Sequence, residues 1–121
     1  MTEPTSNSTN SILDSTKKAL GLSSDYDAFD PEIIMLINGV FSTLSQLGIG
    51  PVGGFAITGP DETWDTFLLD DPRFNGVKTY MFLKVKYSFD PPNNSFTINA
   101  MKEQIQEHEW RLNVLRENLS V

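Results

Sequence analysis

The chain has 121 residues, no cysteine and a formal net charge of −7 at pH 7. This length fits one domain, and the missing thiols exclude disulfides, thiolate metal sites and cysteine nucleophiles. The nine basic residues are scattered, which excludes a protein that grips DNA through clustered cations but allows an acidic wall past which DNA slides. With no membrane-length apolar run and no signal-peptide pattern, we expect a soluble chain that is not secreted.

The first helix is predicted to begin after a polar tail. Residues 1–10, "MTEPTSNSTN", bury too little apolar surface to order themselves, so we predict a flexible tail. Ser11 is the expected N-cap, Asp14 completes an acidic capping box, and Gly21 ends the short helix "ILDSTKKAL". Its narrow apolar stripe favours a helix on the surface. Residues 11–121 are interpreted as a single helical domain.

A second helix has the clearest start signal in the chain. Asp30 is the expected N-cap and Pro31 occupies the first helical position. The helix is expected to end at Gly48. The apolar residues at helical spacing form a wide stripe that must be buried: Ile33, Ile34, Ile37, Val40, Phe41, Leu44 and Leu47.

The segment that follows is rich in glycine. Residues 48–60 contain five glycines and two prolines, and the first six, "GIGPVG", match the G-x-G-x-x-G fingerprint of dinucleotide-binding loops. The match fails on context, because it follows a helix, opens a loop and loses a backbone donor at Pro51. We interpret this glycine loop as a partner-binding element. Its middle part, "GFAIT", is compatible with a strand or one arm of a short β-hairpin.

Two further helices and a turn are predicted next. Asp61 is the expected N-cap of a brief helix, "ETWDTFLL", in which Trp64 anchors the glycine loop to the body of the protein. A turn is expected at "DDPRF". The helix "GVKTYMFLKVKYSF" then runs until "DPPNN", where consecutive prolines must end it.

The C-terminal segment has the most regular pattern. Its apolar positions step by three and four residues, which is a heptad seam: Ile98, Met101, Ile105, His108, Leu112, Leu115 and Leu119. Such a seam suits packing against one long helix, in the same chain or in another copy. The sequence therefore predicts an all-α bundle of about four to five helices with a long glycine-rich loop and a long C-terminal helix.

The residue types that carry chemistry are sparse. His108 is the only histidine, and without a second His or a Cys no metal site is expected; at a seam position it is interpreted as a packed polar residue that sets register. No serine lies in a nucleophile motif, and the acidic groups are attributed to helix caps and solvation. We predict no catalytic residue, no cofactor and no enzymatic activity. Trp110 lies beside the seam and is either the edge of the core or an interface anchor.

Several separated segments resemble one family. "FDPEIIMLINGVFSTLSQLGIGPVGGFAITGPDETWDTFL", "VKTYMFLKVKYSFDPPNNSF" and "EHEWRLNVLRE" are similar to head–tail connector (adaptor, or head-completion) proteins of long-tailed bacteriophages, over roughly residues 12–117. The resemblance implies a mainly helical virion protein of the neck, assembled in the host cytoplasm. Copies would form a ring, commonly dodecameric, beneath the portal protein. The ring would extend the channel through which DNA passes without specific binding, and would dock a downstream neck or tail-completion protein.

The resemblance also directs attention to interfaces, because a closed ring needs one patch to meet a different patch on the next copy. We expect the C-terminal helix and the glycine loop to provide these patches. The candidate interface residues are Gly53, Gly54, Phe55, Ile57, Trp64, Ile105, His108, Trp110, Leu112 and Leu115. The alternative is a small cytoplasmic binding or regulatory protein that dimerises through its C-terminal helix.

Overall fold

The computed structural model describes residues 10–68 and 75–119, so the predicted tail up to residue 9 and the predicted turn at 70–74 lie outside the described residues. The described part contains five helices and no strand: α1 (Ile12–Ala19), α2 (Asp30–Gln46), α3 (Trp64–Leu68), α4 (Gly76–Phe89) and α5 (Ser95–Leu119). One isolated antiparallel bridge joins Ser11 to Thr63. The predicted all-α bundle is confirmed, whereas "GFAIT" forms no strand.

Helix α1 begins as predicted but does not lie on the surface. The Ser11 hydroxyl accepts a hydrogen bond from the Asp14 N–H at 3.2 Å, which confirms the N-cap. Ile12 and Leu13 are buried, and so are the polar Thr16 and Lys17. The buried Thr16 hydroxyl has a hydrogen-bond partner within the helix, because it donates to the Ile12 carbonyl oxygen at 2.8 Å. The surface prediction is wrong because these polar side chains widen the buried face, which packs against α2 and α4.

The start of α2 differs from its prediction in one respect. Pro31 lies in the first turn as expected, but Asp30 is already helical and its side chain makes no capping bond. The Asp30 carboxylate instead lies 2.8 Å from the buried Lys17 ammonium, as a charge pair rather than an aligned hydrogen bond. The ammonium donates to the Ser24 carbonyl oxygen at 3.1 Å. The N-cap prediction fails because α1 supplies a stronger partner for Asp30.

The apolar stripe of α2 faces the core as predicted. Five of its members are buried and two are partly buried: Ile33, Ile37, Val40, Phe41 and Leu44 belong to the first set, and Ile34 and Leu47 to the second. The helix ends where it was expected to end, because Leu47 is the C-cap and Gly48 follows with φ = 84°.

Helix α3 begins later than predicted. It starts at Trp64, and the Thr63 hydroxyl accepts the Thr66 N–H at 3.3 Å. The predicted N-cap Asp61 lies outside the helix. Thr63 takes this position because its backbone is fixed by the bridge to Ser11.

Helix α4 is the central element, and α1, α2 and α5 all pack against it. Its buried residues are Val77, Tyr80, Met81 and Val85. The Tyr80 hydroxyl donates to the Glu109 carboxylate of α5 at 2.7 Å, and burial together with this bond raises the pKa of Tyr80. The seam of α5 is therefore used within the chain, with Ile105 and Leu112 buried.

Candidate functional site

The glycine loop is fixed to α2 by a single side chain. The Ile57 N–H donates to Asn38 Oδ1 at 2.8 Å, and Asn38 Nδ2 donates to the Ile57 carbonyl oxygen at 3.0 Å. The amide thus satisfies both backbone groups of Ile57, which a partner strand would otherwise do. Residues 54–58, which were compatible with a strand or one arm of a hairpin, therefore need no partner strand at Ile57 and form none. The polar Asn38 among the apolar residues of α2 was the available sequence signal for this contact, and our sequence interpretation missed it.

The far end of the loop is closed by Glu62. Its carboxylate accepts the N–H and the hydroxyl of Thr58, at 3.0 and 2.9 Å, and the Gly59 N–H at 3.4 Å. Burial pushes the pKa of Glu62 upward, but the hydrogen bonds from Thr58 and Gly59 outweigh it and lower the pKa. Together with Asn38, this side chain holds residues 57–62 in one conformation.

An aromatic cluster supports the loop from below. Phe41, Phe55 and Phe67 pack with ring centroids 4.7 to 5.1 Å apart. Gly50 has φ = 101°, a conformation that favours glycine. A Cβ at this position would lie 2.6 Å from Phe67 Cε1, so a larger residue would also clash with the Phe67 ring. Trp64 packs beside Phe41 and donates its indole N–H to another helix, α1. Phe55 is therefore the loop residue that anchors the loop to Phe41 and Phe67.

The tip of the loop is exposed above this support. Val52 and Gly53 are exposed, and Gly54 and Phe55 are half-buried. A cleft of about 460 Å³ separates the tip from α2, with Asn38, Phe41 and Gln46 among its lining residues. The loop therefore presents a fixed surface that another protein can contact.

Helix α5 has a second exposed surface. Trp110 and Phe96 are 66% and 82% exposed. Successive helical residues are about 100° apart, which places both aromatic rings on the side of α5 away from Ile105 and Leu112. Trp110 is therefore not part of the core edge, and of the two alternatives for this residue only the exposed anchor agrees with its burial.

The ten candidate interface residues divide by burial. Ile57, Trp64, Ile105 and Leu112 lie in the protomer's own core. Gly53 and Trp110 are exposed, whereas Gly54, Phe55, His108 and Leu115 are half-buried. The exposed and half-buried residues fall into the two predicted places, the loop tip and α5, and the buried ones support them from inside.

The described residues contain no group of three or more His, Cys, Asp or Glu side chains placed to hold a metal ion. None of the described helices is long and apolar enough to cross a membrane. The G-x-G-x-x-G match follows α2 directly and leads into the loop rather than into a helix.

Replacing Asn38 with alanine should release the loop without unfolding the bundle. Two hydrogen bonds are lost and the buried polar groups of Ile57 are left unsatisfied, so we expect a loss of about 1–3 kcal/mol in the free energy of unfolding. Hydrogen exchange should increase at Ile57 far more than in α4. Thr43→Ala, which removes a hydroxyl from the same helix that bonds only within α2, is the matched control. Unchanged exchange at Ile57 would contradict the assigned clamp.

Comparison with known proteins adds one finding. Residues 12–119 match the model of the family described as Phage connector protein, from the first residue of α1 to the last of α5. No curated protein and no solved structure matches the chain. The match covers all the described helices, the glycine loop and the exposed face of α5. The chain belongs to the phage connector protein family.

Proposed function

We propose that this chain is the head-to-tail connector subunit that forms a ring under the portal of a phage virion. Membership of the connector family gives it a structural role in the phage particle. In the proposal, twelve or a similar number of copies extend the DNA channel and provide the platform on which tail-completion proteins dock. The virion neck is the proposed location.

The observation that carries the proposal is a closed core with large apolar side chains left outside it. Trp110 and Phe96 on α5 and Val52 at the loop tip are exposed although the seam of α5 is already packed on α4. Aromatic side chains, and Trp in particular, are enriched at protein–protein interfaces relative to the rest of the surface. A ring requires two different contact patches on each protomer, and portal binding requires a further one; the loop tip and the outer side of α5 can supply two of these.

The charge of the chain supports a channel lining. A net charge of −7 repels DNA, so carboxylates that line or flank the channel allow the genome to pass without adhering. The repulsion of DNA is expected from the channel wall of the assembled ring and not from a single protomer.

Mixing the purified protein with portal particles of the same virion tests the proposal. We expect the two to co-sediment and electron micrographs to show an added ring below the portal. Portal alone and connector alone are the controls, and a monomeric connector alone agrees with ring closure on the portal template. Absence of both co-sedimentation and an added ring would contradict the proposal.

The alternative of a cytoplasmic dimer depends on a free seam. The structure buries Ile105 and Leu112 of the seam and packs α5 against α4 of the same chain. A dimer through the seam would have to open the bundle. Native mass spectrometry with and without portal separates the two functions. A connector is expected to form a complex with the portal, whereas the regulatory protein is expected to remain a dimer that does not bind portal.

The loop tip offers a prediction about assembly. Alanine at Gly54, where φ is 88°, is expected to cost about 1–2 kcal/mol, whereas a Cβ at Gly53 meets nothing within the protomer. We expect the Gly53→Ala, Gly54→Ala double variant to keep its helical circular dichroism and to bind portal more weakly. Gly53→Ala alone isolates partner contact from strain. Loss of helicity in the double variant would mean that the glycines serve folding instead.

A further inference from the structure

A second cleft, of about 640 Å³, lies between α1 and α4, on the opposite flank of the protomer from α5. Its accessible apolar lining includes Phe82 and Leu22, which are partly exposed, and the fully buried Trp64 borders it. Two lysines, Lys18 and Lys78, line it together with one carboxylate, that of Asp14. The cleft thus combines aromatic surface with a positive rim on a chain that is otherwise strongly acidic.

The positions along α4 show that the cleft and α5 face opposite directions. Lys78 and Phe82 line the cleft. Tyr80 and Lys84 turn the other way and reach Glu109 of α5, at 2.7 and 3.8 Å. Residues two positions apart on a helix point about 200° apart, so α4 separates the two surfaces. A protomer in a ring needs its two contact surfaces on opposite flanks in this way.

The outer face of α5 has the complementary chemistry. Phe96, Glu103 and Trp110 lie on the side of the helix away from α4, and all three are exposed. Glu107 lies beside them and pairs with Arg111. This face therefore combines two aromatic rings with two carboxylates, one of them paired with Arg111, whereas the cleft combines apolar side chains with two lysines and one carboxylate. Such complementarity gives register and specificity to a protein–protein contact.

We propose that the outer face of α5 in one copy docks into the α1–α4 cleft of the next copy. The Trp110 ring packs on the partly exposed side chains of Phe82 and Leu22, and the side of α5 that carries Glu103 and Glu107 approaches Lys18 and Lys78. The contact joins two different patches head to tail, which is the type of interface that closes into a ring. This inference rests on the proposed ring and names the surfaces that close it. The glycine loop is then left free for the portal or the tail.

The first test compares two side chains of equal exposure. Trp110 on α5 and Met35 on α2 are both 66% exposed, so neither substitution by alanine is expected to disturb the fold. We expect Trp110→Ala to weaken ring formation on portal particles at least about tenfold, as loss of a buried tryptophan anchor does. Met35→Ala should assemble like the unmodified chain. Equal assembly of both variants would overturn the role of Trp110.

The second test joins the two surfaces covalently. The chain has no cysteine of its own, so Ser23→Cys at the cleft and Gln106→Cys one turn from Trp110 are unique labels, and both positions are exposed. With a short bis-maleimide and portal present, the double variant should give a ladder of linked subunits on a denaturing gel. Each single variant should not, because a head-to-tail contact brings together two different positions.

The outcomes separate this inference from the proposed function. A ring in electron micrographs with a ladder from the double variant supports the pairing of α5 with the cleft. A ring without the ladder overturns that pairing and leaves the connector function intact. The absence of any ring on the portal overturns this inference, and if the chain also fails to co-sediment with the portal, the proposed function is overturned as well.

Discussion

Replacing Asp30 with alanine is expected to lower the free energy of unfolding by about 3 kcal/mol, one of the two largest effects we predict. The Lys17 side chain is 1% exposed, and its ammonium group lies 2.8 Å from the Asp30 carboxylate. Removing that carboxylate leaves a positive charge in the interior that keeps its hydrogen bond to the Ser24 carbonyl oxygen and an electrostatic interaction with the Asp14 carboxylate. Breaking a buried pair on one side costs several kcal/mol. The loss of an acidic residue from the first turn of α2 adds to it.

Removing the lysine instead should cost less. Lys17→Met keeps the apolar stem and removes the buried charge, and the Asp30 carboxylate is partly exposed to water. The double variant Lys17→Met, Asp30→Ala is expected to be more stable than Asp30→Ala alone, because no unpaired charge remains. Urea unfolding followed by circular dichroism measures all three variants. Asp27→Ala removes an exposed carboxylate from the same connection and is the matched control.

The opposite result would contradict the assigned pair. If Asp30→Ala unfolds within about 0.5 kcal/mol of the unmodified chain, as surface substitutions do, the Lys17 ammonium must reach water. If the double variant loses the sum of the two single losses, the two residues are not coupled.

Replacing Trp64 with alanine is expected to cost about 3–5 kcal/mol, the range for a large aromatic residue removed from a core. Trp64 is fully buried, packs against Phe41 and Phe82, and donates its indole N–H to the Ser15 hydroxyl at 2.8 Å. It therefore joins α3 to α1, α2 and α4 at once. Trp64→Phe should lose less, because it keeps most of the apolar volume and leaves only the hydrogen bond unmade.

The chain offers its own control for this prediction. Trp110→Ala is the same substitution at a tryptophan that is 66% exposed, and it should change stability by no more than about 0.5 kcal/mol. Thermal or urea unfolding gives the loss of stability of each variant. Because the substitution is the same at both positions, a difference between the two losses reports the difference in burial. Similar losses at both positions would contradict the assignment of Trp64 to the core and Trp110 to the surface.

The helices could be predicted because their signals are local. The Ser11 cap, Pro31 and Gly48 each act within one turn of the chain, and so do the consecutive prolines after α4. The wide stripe of α2 and the seam of α5 likewise report burial through spacing alone. These features place the bundle without knowledge of which helix packs on which.

The errors fall where two distant groups compete for one side chain. Asp30 has a local use as a cap and a distant one as the partner of Lys17, and the sequence displays only the local use. The same reason explains the segment around Ile57, where the Asn38 amide replaces a partner strand. Helix α1 was assigned to the surface because the burial of Thr16 and Lys17 depends on α2 and α4.

The exposure of the candidate interface residues could be predicted only in part. Spacing identified α5 as a contact helix, yet its regular seam serves the protomer, and the exposed aromatic residues lie on the other side. The sequence does not distinguish between a core-edge and an interface role for Trp110, because the two differ in burial, which depends on the packing of α5. The α1–α4 cleft has no sequence signature, because its lining residues come from α1, the connection after it, α3 and α4.

An electron-microscopic reconstruction of the virion neck tests the central claim most directly. We predict a ring of this chain immediately below the portal, with Trp110 buried between neighbouring copies and the glycine loop facing the portal or the tail. A neck in which the portal meets the tail proteins directly, with no density for this chain between them, would contradict the account.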